Sequence, residues 1–257
     1  MQPSHLTPKL MRLFIGLLLL LSCSSNGKKK SAHDNARATF EQQLAKKSAA
    51  EVDTTYAVLC RNLDRSRLQL KKEWNKSSDK TAREAVLAKA RKLLYTTLSD
   101  SLFVCWYGTK WDFNGTTSCP RQGNIACGYF VTTVLQQAGF PLDRVYLAQQ
   151  ASSTMIKALC PAEKIKTVSN HQQKKLTDHL RSRPDGIFIL GLDKHTGFVV
   201  KEGDSLDFVH SSFWPQGHVV RVPLEKSEIV KESNYYVAGE LLFSDETIRK
   251  WINGEKI

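Results

Sequence analysis

Cys127 opens the segment Cys127-Gly128-Tyr129-Phe130-Val131, and His195 and His210 follow it far along the chain. A thiol, an imidazole that can take its proton and a second polar ring that can orient the first are the parts of a nucleophilic cysteine site. After Cys127, the residues Phe130, Val131, Val134 and Leu135 recur at helical spacing, and Gly139 and Pro141 supply a stop. The spacing therefore predicts the cysteine at a helix N-terminus. There, free N–H groups and the helix dipole stabilise a thiolate, and beside an imidazolium a cysteine pKa can fall from ~8.5 to roughly 3 to 4. The same amides can bind an oxyanion.

The histidines need a sheet to bring them together. Residues 186–192, 195–201 and 205–211 read as strands, with Glu202-Gly203 as a tight turn between the last two. Symmetric pairing about that turn sets Lys201 against Asp204, Val199 against Leu206, Gly197 against Phe208 and His195 directly against His210, both on one face. Asp207 falls on the opposite face in this register and is set aside as the third member. His218, after Gly217, is the reserve candidate for the orienting role, and His171 and His179, in a polar helical stretch, are expected to be exposed.

Five segments in this order carry a resemblance: Gly108-Thr109-Lys110-Trp111-Asp112-Phe113-Asn114-Gly115, Ala126-Cys127-Gly128-Tyr129-Phe130-Val131, Pro184-Asp185-Gly186, His195-Thr196-Gly197-Phe198-Val199 and Phe208-Val209-His210-Ser211-Ser212. Together they resemble the NlpC-type cell-wall peptidases, whose fold is papain-like. The resemblance covers about half of the chain, from Phe103 to roughly Leu242, as sparse motifs in the right order. It implies an amidase or endopeptidase that cuts peptidoglycan stem peptides, with Cys127 as nucleophile, His195 as general base and His210 as its orienter. Trp111 stands where the family usually has a substrate-lining tyrosine, and Gly128 and Tyr129 join it as substrate-binding residues. The chain departs from the family at Ala126 and Gly128, where an aspartate and a serine are common. An aspartate there would help to hold a cationic group of the substrate, so the specificity is open. Residues 116–124 read as a loop beside the active site that can reshape the groove.

The N-terminus indicates export. Lys9 and Arg12 precede an unbroken apolar run from Leu13 to Leu21, which is too short to span a bilayer and has the layout of a secretory signal. Leu20-Leu21-Ser22-Cys23 resembles a bacterial lipobox, which would make residues 1–22 a signal peptide, Cys23 the lipidated residue and 23–36 a tether. Ser24 then favours the outer membrane, facing the periplasm. The alternative is an ordinary cleaved signal and a soluble periplasmic or secreted protein.

The chain carries 37 Lys and Arg against 25 Asp and Glu, a formal net charge of +12. The excess belongs to the N-terminal region, since residues 24–100 hold 17 basic against 9 acidic side chains. A basic face suits anionic headgroups or the cell-wall polymer, and a solvated helix surface explains any single lysine equally well. Nucleic acid is not expected as a partner, because no recognition motif is present. Residues 36–46, 51–72 and 78–98 read as helices, the last capped by Ser78 or Asp79, with Val86, Leu87, Leu93, Leu94 and Leu98 as its apolar stripe. Later elements are helices at 152–159 and 169–181, strands at 218–223 and 235–243, and a closing helix from a Ser244 cap to Trp251. The expected class is α+β, with an N-terminal helical region over 37–100 and a papain-like catalytic domain over 101–257.

Beyond Cys23 and Cys127, the cysteines Cys60, Cys105, Cys119 and Cys160 allow three disulfide connectivities, and buried free thiols fit Cys60 and Cys105 equally. A chain of this length needs neither disulfide nor metal to fold, and the hydrolase reading needs no cofactor. Two other readings compete with it. One is a catalytically inactive lipoprotein that binds peptidoglycan or a protein partner through the same groove. The other is a zinc site of Cys127, His195 and His210, which lacks any close-spaced ligand pair.

Overall fold

The computed structural model describes residues 32–256. The signal segment 1–22, Cys23 and the start of the 23–36 tether lie outside the described residues. Helix α1 (Ala32–Ala45) begins inside the stretch expected to be tether, where His33 Nδ1 lies 2.7 Å from Asp100 Oδ2 and fastens the new turn. Ser48 and Glu51 form a reciprocal capping box that starts α2 (Ala49–Lys76). Asp79 accepts from the Ala82 amide and starts α3 (Lys80–Thr97). That helix runs on through a π-helical segment, Leu98–Leu102, into α4 (Phe103–Trp106), so the expected boundary near residue 100 falls within one continuous helical run.

Two short parallel strands follow, β1 (Lys110–Trp111) and β2 (Asn124–Ile125). The chain then forms α5 (Cys127–Gln137), α6 (Arg144–Ala148) and α7 (Ser152–Leu159). Its second half supplies β3 (Ile165–Ser169), α8 (Gln173–Arg181), β4 (Gly186–Leu192), β5 (Thr196–Glu202), β6 (Ser205–Ser211), β7 (Val219–Pro223), α9 (Glu228–Glu232), β8 (Tyr235–Gly239) and α10 (Asp245–Asn253). The six larger strands make one antiparallel sheet in the order β3-β8-β4-β5-β6-β7. The class is α+β, as expected.

Several expected boundaries move. The segment read as a helix from residue 169 instead ends the edge strand β3, because Asn170 and His171 take positive φ and turn the chain before α8 begins at Gln173. Strand β8 stops at Gly239 rather than 243. The β5–β6 turn is Gly203-Asp204 and not Glu202-Gly203, with Glu202 paired to Ser205 and Lys201 to Leu206. Gly203 has φ +54, and its amide donates to Asp185 Oδ1 at 2.9 Å, which pins the glycine inside the loop. The register is thus displaced by two residues from the expected one. Because side chains alternate with period two, the displacement changes each partner but leaves every residue on its expected face.

One core joins the helices to the sheet. Phe103, Phe130 and Phe198 pack together, with Trp106 edge-on to Phe130 and Tyr56 edge-on to Trp106. The N-terminal helices therefore back the helix that carries Cys127. Phe130, Val131, Val134 and Leu135 are fully buried, and removing an aromatic side chain from such a core costs about 3 to 5 kcal/mol. No helix among the described residues is long and apolar enough to cross a membrane.

Candidate functional site

Cys127 is the first residue of α5, after an extended Ala126 that offers no side-chain cap. A Ser or Asp cap would add about 1 kcal/mol of helix stability by occupying one first-turn amide. Ala126 forgoes that gain and leaves the first-turn N–H groups open to an incoming oxygen. The loop before it is held from the sheet: Ser211 Oγ donates to the Ile125 carbonyl at 2.7 Å. Gly128 is required by packing, because a Cβ there would meet the Ala148 carbonyl oxygen at 2.3 Å. The close approach of α6 thus accounts for glycine at this position.

His195 lies just before β5 and His210 within β6, and the two are diagonal neighbours instead of direct partners. The observed register brings Gly197 beside His210, and a Cβ on Gly197 would sit 2.7 Å from the His210 Cβ. That vacancy lets the rings meet: His195 Nε2 lies 2.8 Å from His210 Nδ1. Both rings are buried, at 3% and 1% exposure. Phe208 stacks on His210, and Phe213 and Phe208 stand edge-on to His195. His195 Nδ1 and His210 Nε2 have no hydrogen-bond partner among the described residues. With Nε2–H of His195 donating to His210 Nδ1, the free Nδ1 of His195 is an unprotonated base. Either ring can donate across that contact, and the base role of His195 belongs to the tautomer in which its Nε2 is the donor.

Burial dominates the electrostatics. It drives His195 down to about 3 and His210 well below the ordinary imidazole range, the neighbouring ring adding to the effect on His210. It also pushes the Cys127 thiol up, against the opposing pull of the Thr196, Gly128 and Cys127 backbone amides. Burial thus favours the uncharged thiol and the uncharged imidazole, the opposite direction from the acidified thiolate expected. Such a pair can still react by passing the proton from sulfur to Nδ1 as the bond to carbon forms.

Cys127 and His195 line two cavities that meet at their shared wall of Gly128, Ala148 and Lys194. One, of about 360 Å³ and called the polar cavity for its side-chain donors and acceptors, sets Gln150, Ser152, Ser153, Asp193 and Tyr235 beside the apolar Met155 and Leu192. The other, of about 450 Å³, is aromatic and includes Trp111, Phe113, Tyr129 and Phe213. All three residues read as substrate-binding, Trp111, Gly128 and Tyr129, thus stand in the same cavity as Cys127 and His195. Tyr129 is fixed by Arg144 over its ring at 5.0 Å and by Gln149 Nε2 at 3.3 Å from its hydroxyl. Of the loop at 116–124, Thr116 lines the groove, while Arg144, Gln137 and Arg121 strap the remainder to helices and to the Leu44 carbonyl.

Other candidates separate from the site. Asp207 faces away and binds Arg221 Nε at 2.9 Å. His218 lines a different cavity with Arg37, Tyr107 and Arg221. His179 is not exposed but sits 3.4 Å from the buried Glu240. Cys60, Cys105, Cys119, Cys127 and Cys160 are free thiols, and burial raises Cys105 and Cys160 to about 12. Among the described residues no group of three or more His, Cys, Asp or Glu is arranged to hold a metal ion. Lys194 and Phe213 were not singled out in the sequence, although each adjoins a motif that was, at His195 and Ser212. Comparison with protein-family models, curated proteins and solved structures gives no significant match.

Proposed function

We propose that this protein is a cysteine hydrolase with a papain-like catalytic arrangement, cleaving an amide in peptidoglycan stem peptides. The observation that carries the reading is the buried His195–His210 contact, with His195 Nδ1 left without a hydrogen-bond partner and His195 lining two cavities together with Cys127. In this mechanism Nδ1 takes the thiol proton as sulfur attacks the carbonyl carbon. The oxyanion is held by uncapped amides at the start of α5. His195 returns the proton to the departing amine, the C–N bond breaks, and a thioester remains. Water then gives a proton to Nδ1 and its oxygen to the acyl carbon, and the C–S bond breaks to restore the thiol. His210 accepts from Nε2–H throughout and stabilises the imidazolium while it exists. The N-terminal lipobox, through Cys23, would place this activity on the envelope, at the outer membrane.

The test is incubation of the mature protein and its Cys127→Ala variant with peptidoglycan fragments, read by mass spectrometry. Cleavage by the parent alone is expected; turnover retained in the variant would sink the mechanism. The raised Cys127 thiol favours a second reading, an inactive lipoprotein that binds peptidoglycan or a protein partner in the same groove. It predicts binding by both proteins and cleavage by neither.

A further inference from the structure

Two large aromatic side chains in the lining of the aromatic cavity are left exposed to solvent. Phe113 is 80% exposed and Phe213 43%, both in its lining, and Trp214 follows at 49%. These rings do not hang on loose ends. The Asn114 amide donates to Asp112 Oδ1 at 2.8 Å and the Gly115 amide to the Asp112 carbonyl at 3.0 Å, a turn that fixes Phe113. Ser212 Oγ donates to the Trp214 carbonyl at 2.9 Å and fixes the other side. Trp111 and Phe213 are 5.9 Å apart, at 52°. Ordered aromatic rings held in water beside a reactive group mark a surface that something covers.

The chemistry of that occupant is narrowed by its neighbours. No carboxylate lines the aromatic cavity and its charged residue is Lys194, so a cationic amine has no counterion there and meets a like charge. Asn114, Thr116 and Gln149 stand among the rings, so the cavity is not the continuous apolar tunnel that a long acyl chain requires. A pyranose ring has apolar C–H faces for the aromatics and hydroxyls on its rim for those amides and hydroxyls. Across Cys127, the polar cavity offers Gln150, Ser152, Ser153 and charges of both signs, from Asp193 and Lys194, which suit a peptide.

We propose that the aromatic cavity is a sugar subsite and that the substrate is a stem peptide still joined to its glycan. The pyranose stacks on Phe113 and Phe213 while the peptide enters the polar cavity. This inference rests on the cell-wall reading above and selects the glycan-linked substrate within it. The test is calorimetric binding to the Cys127→Ala variant of three ligands: a disaccharide-tetrapeptide, the same tetrapeptide free, and that tetrapeptide with a long-chain N-acyl group. The disaccharide-tetrapeptide is expected to bind about tenfold tighter than the free peptide. Adding Phe113→Ala and Phe213→Ala is expected to erase that ratio, Phe113→Ala alone leaving the unfolding temperature unchanged because its ring is 80% exposed. Equal affinities, tightest binding of the N-acyl peptide, or no binding of any ligand would each overturn the subsite. Turnover by the parent is scored separately. Equal cleavage of free and glycan-linked peptide leaves the hydrolase standing and removes the subsite, whereas the binding ratio without cleavage does the reverse.

Discussion

His195 and His179 are both drawn below the ordinary imidazole range by burial, yet their surroundings differ in kind. His179 on α8 meets Glu240, a buried carboxylate that Arg183 also holds, through Nε at 2.8 Å and a second guanidinium nitrogen at 2.9 Å. Every charge there has an opposite neighbour, and the cluster ties α8 to the chain just after β8. His195 has no carboxylate. Its partner is another neutral ring, and one nitrogen of each ring is left without a partner. Leaving a buried polar atom unpaired costs about 1 to 3 kcal/mol, and both clusters do so twice, at His195 Nδ1 and His210 Nε2 and at His179 Nε2 and Arg183 Nε, so what separates them is the opposite charge that Glu240 supplies to one of them. The cluster with opposite charges has the form of a structural clamp; the uncharged one is the arrangement that the proposed hydrolase would use as its base.

Substitution should separate the two sites. His195→Ala is expected to lower turnover by roughly a thousandfold, the range of a lost general base, while His179→Ala leaves it unchanged. Comparable losses in both variants, measured as kcat/KM on the same fragment, would erase the distinction. His210→Ala should cost less than His195→Ala, because His195 keeps its place and loses its orienter. His210→Asn should recover part of the loss, since an amide oxygen can accept from Nε2–H. An equal or larger loss for His210→Ala, with no recovery by asparagine, would show the roles reversed.

The same contrast appears in acid. Between about pH 6.5 and the folded value near 3, the unfolded chain binds a proton at residue 195 that the folded chain excludes. The stability tied to this ring is therefore complete above about pH 6.5 and is lost as pH falls, by about 1.4 kcal/mol per pH unit across that window. Urea unfolding at several pH values should show a shallower slope for His195→Gln than for the parent. Superimposable slopes would mean that the ring is already protonated in the folded state.

How far this arrangement could be read from the sequence depends on which interactions are local. Helical spacing after Cys127, the Asp79 and Ser244 caps and the short apolar runs of β4 to β6 are local, and each of these elements appears where its residues place it. The register of β5 on β6 is set by a contact that sequence spacing does not display, Asp185 holding Gly203, so the turn was misplaced while the shared face of the histidines survived. The raised thiol of Cys127 and the lowered ring of His195 depend on burial, which residue spacing does not display. Edge strand β3 was hidden because two of its five residues are Lys and Ser in an exposed run, and its pairing with β8 is long-range. The aromatic cavity joins residues about a hundred positions apart, at Phe113 and Phe213, which no short motif connects.

Glu240→Gln gives the smallest effect on activity and the sharpest test of the clamp. The carboxylate is 5% exposed and is the shared partner of His179 and Arg183. Glutamine keeps the volume and one acceptor oxygen but removes the charge, leaving Arg183, itself partly covered, without a counterion. Discounting for that partial exposure, the loss should be about 2 kcal/mol, below the 3 to 5 seen for fully buried pairs. Glu240 also raises the His179 value against the pull of burial, so in the variant His179 should titrate still lower, visible in its ring proton shifts by NMR. Turnover should match the parent, because neither Glu240 nor His179 lines the cavities that hold Cys127. A drop in turnover with stability unchanged would mean that the two histidine sites are coupled through β8 and β4, and that the clamp belongs to the catalytic apparatus after all.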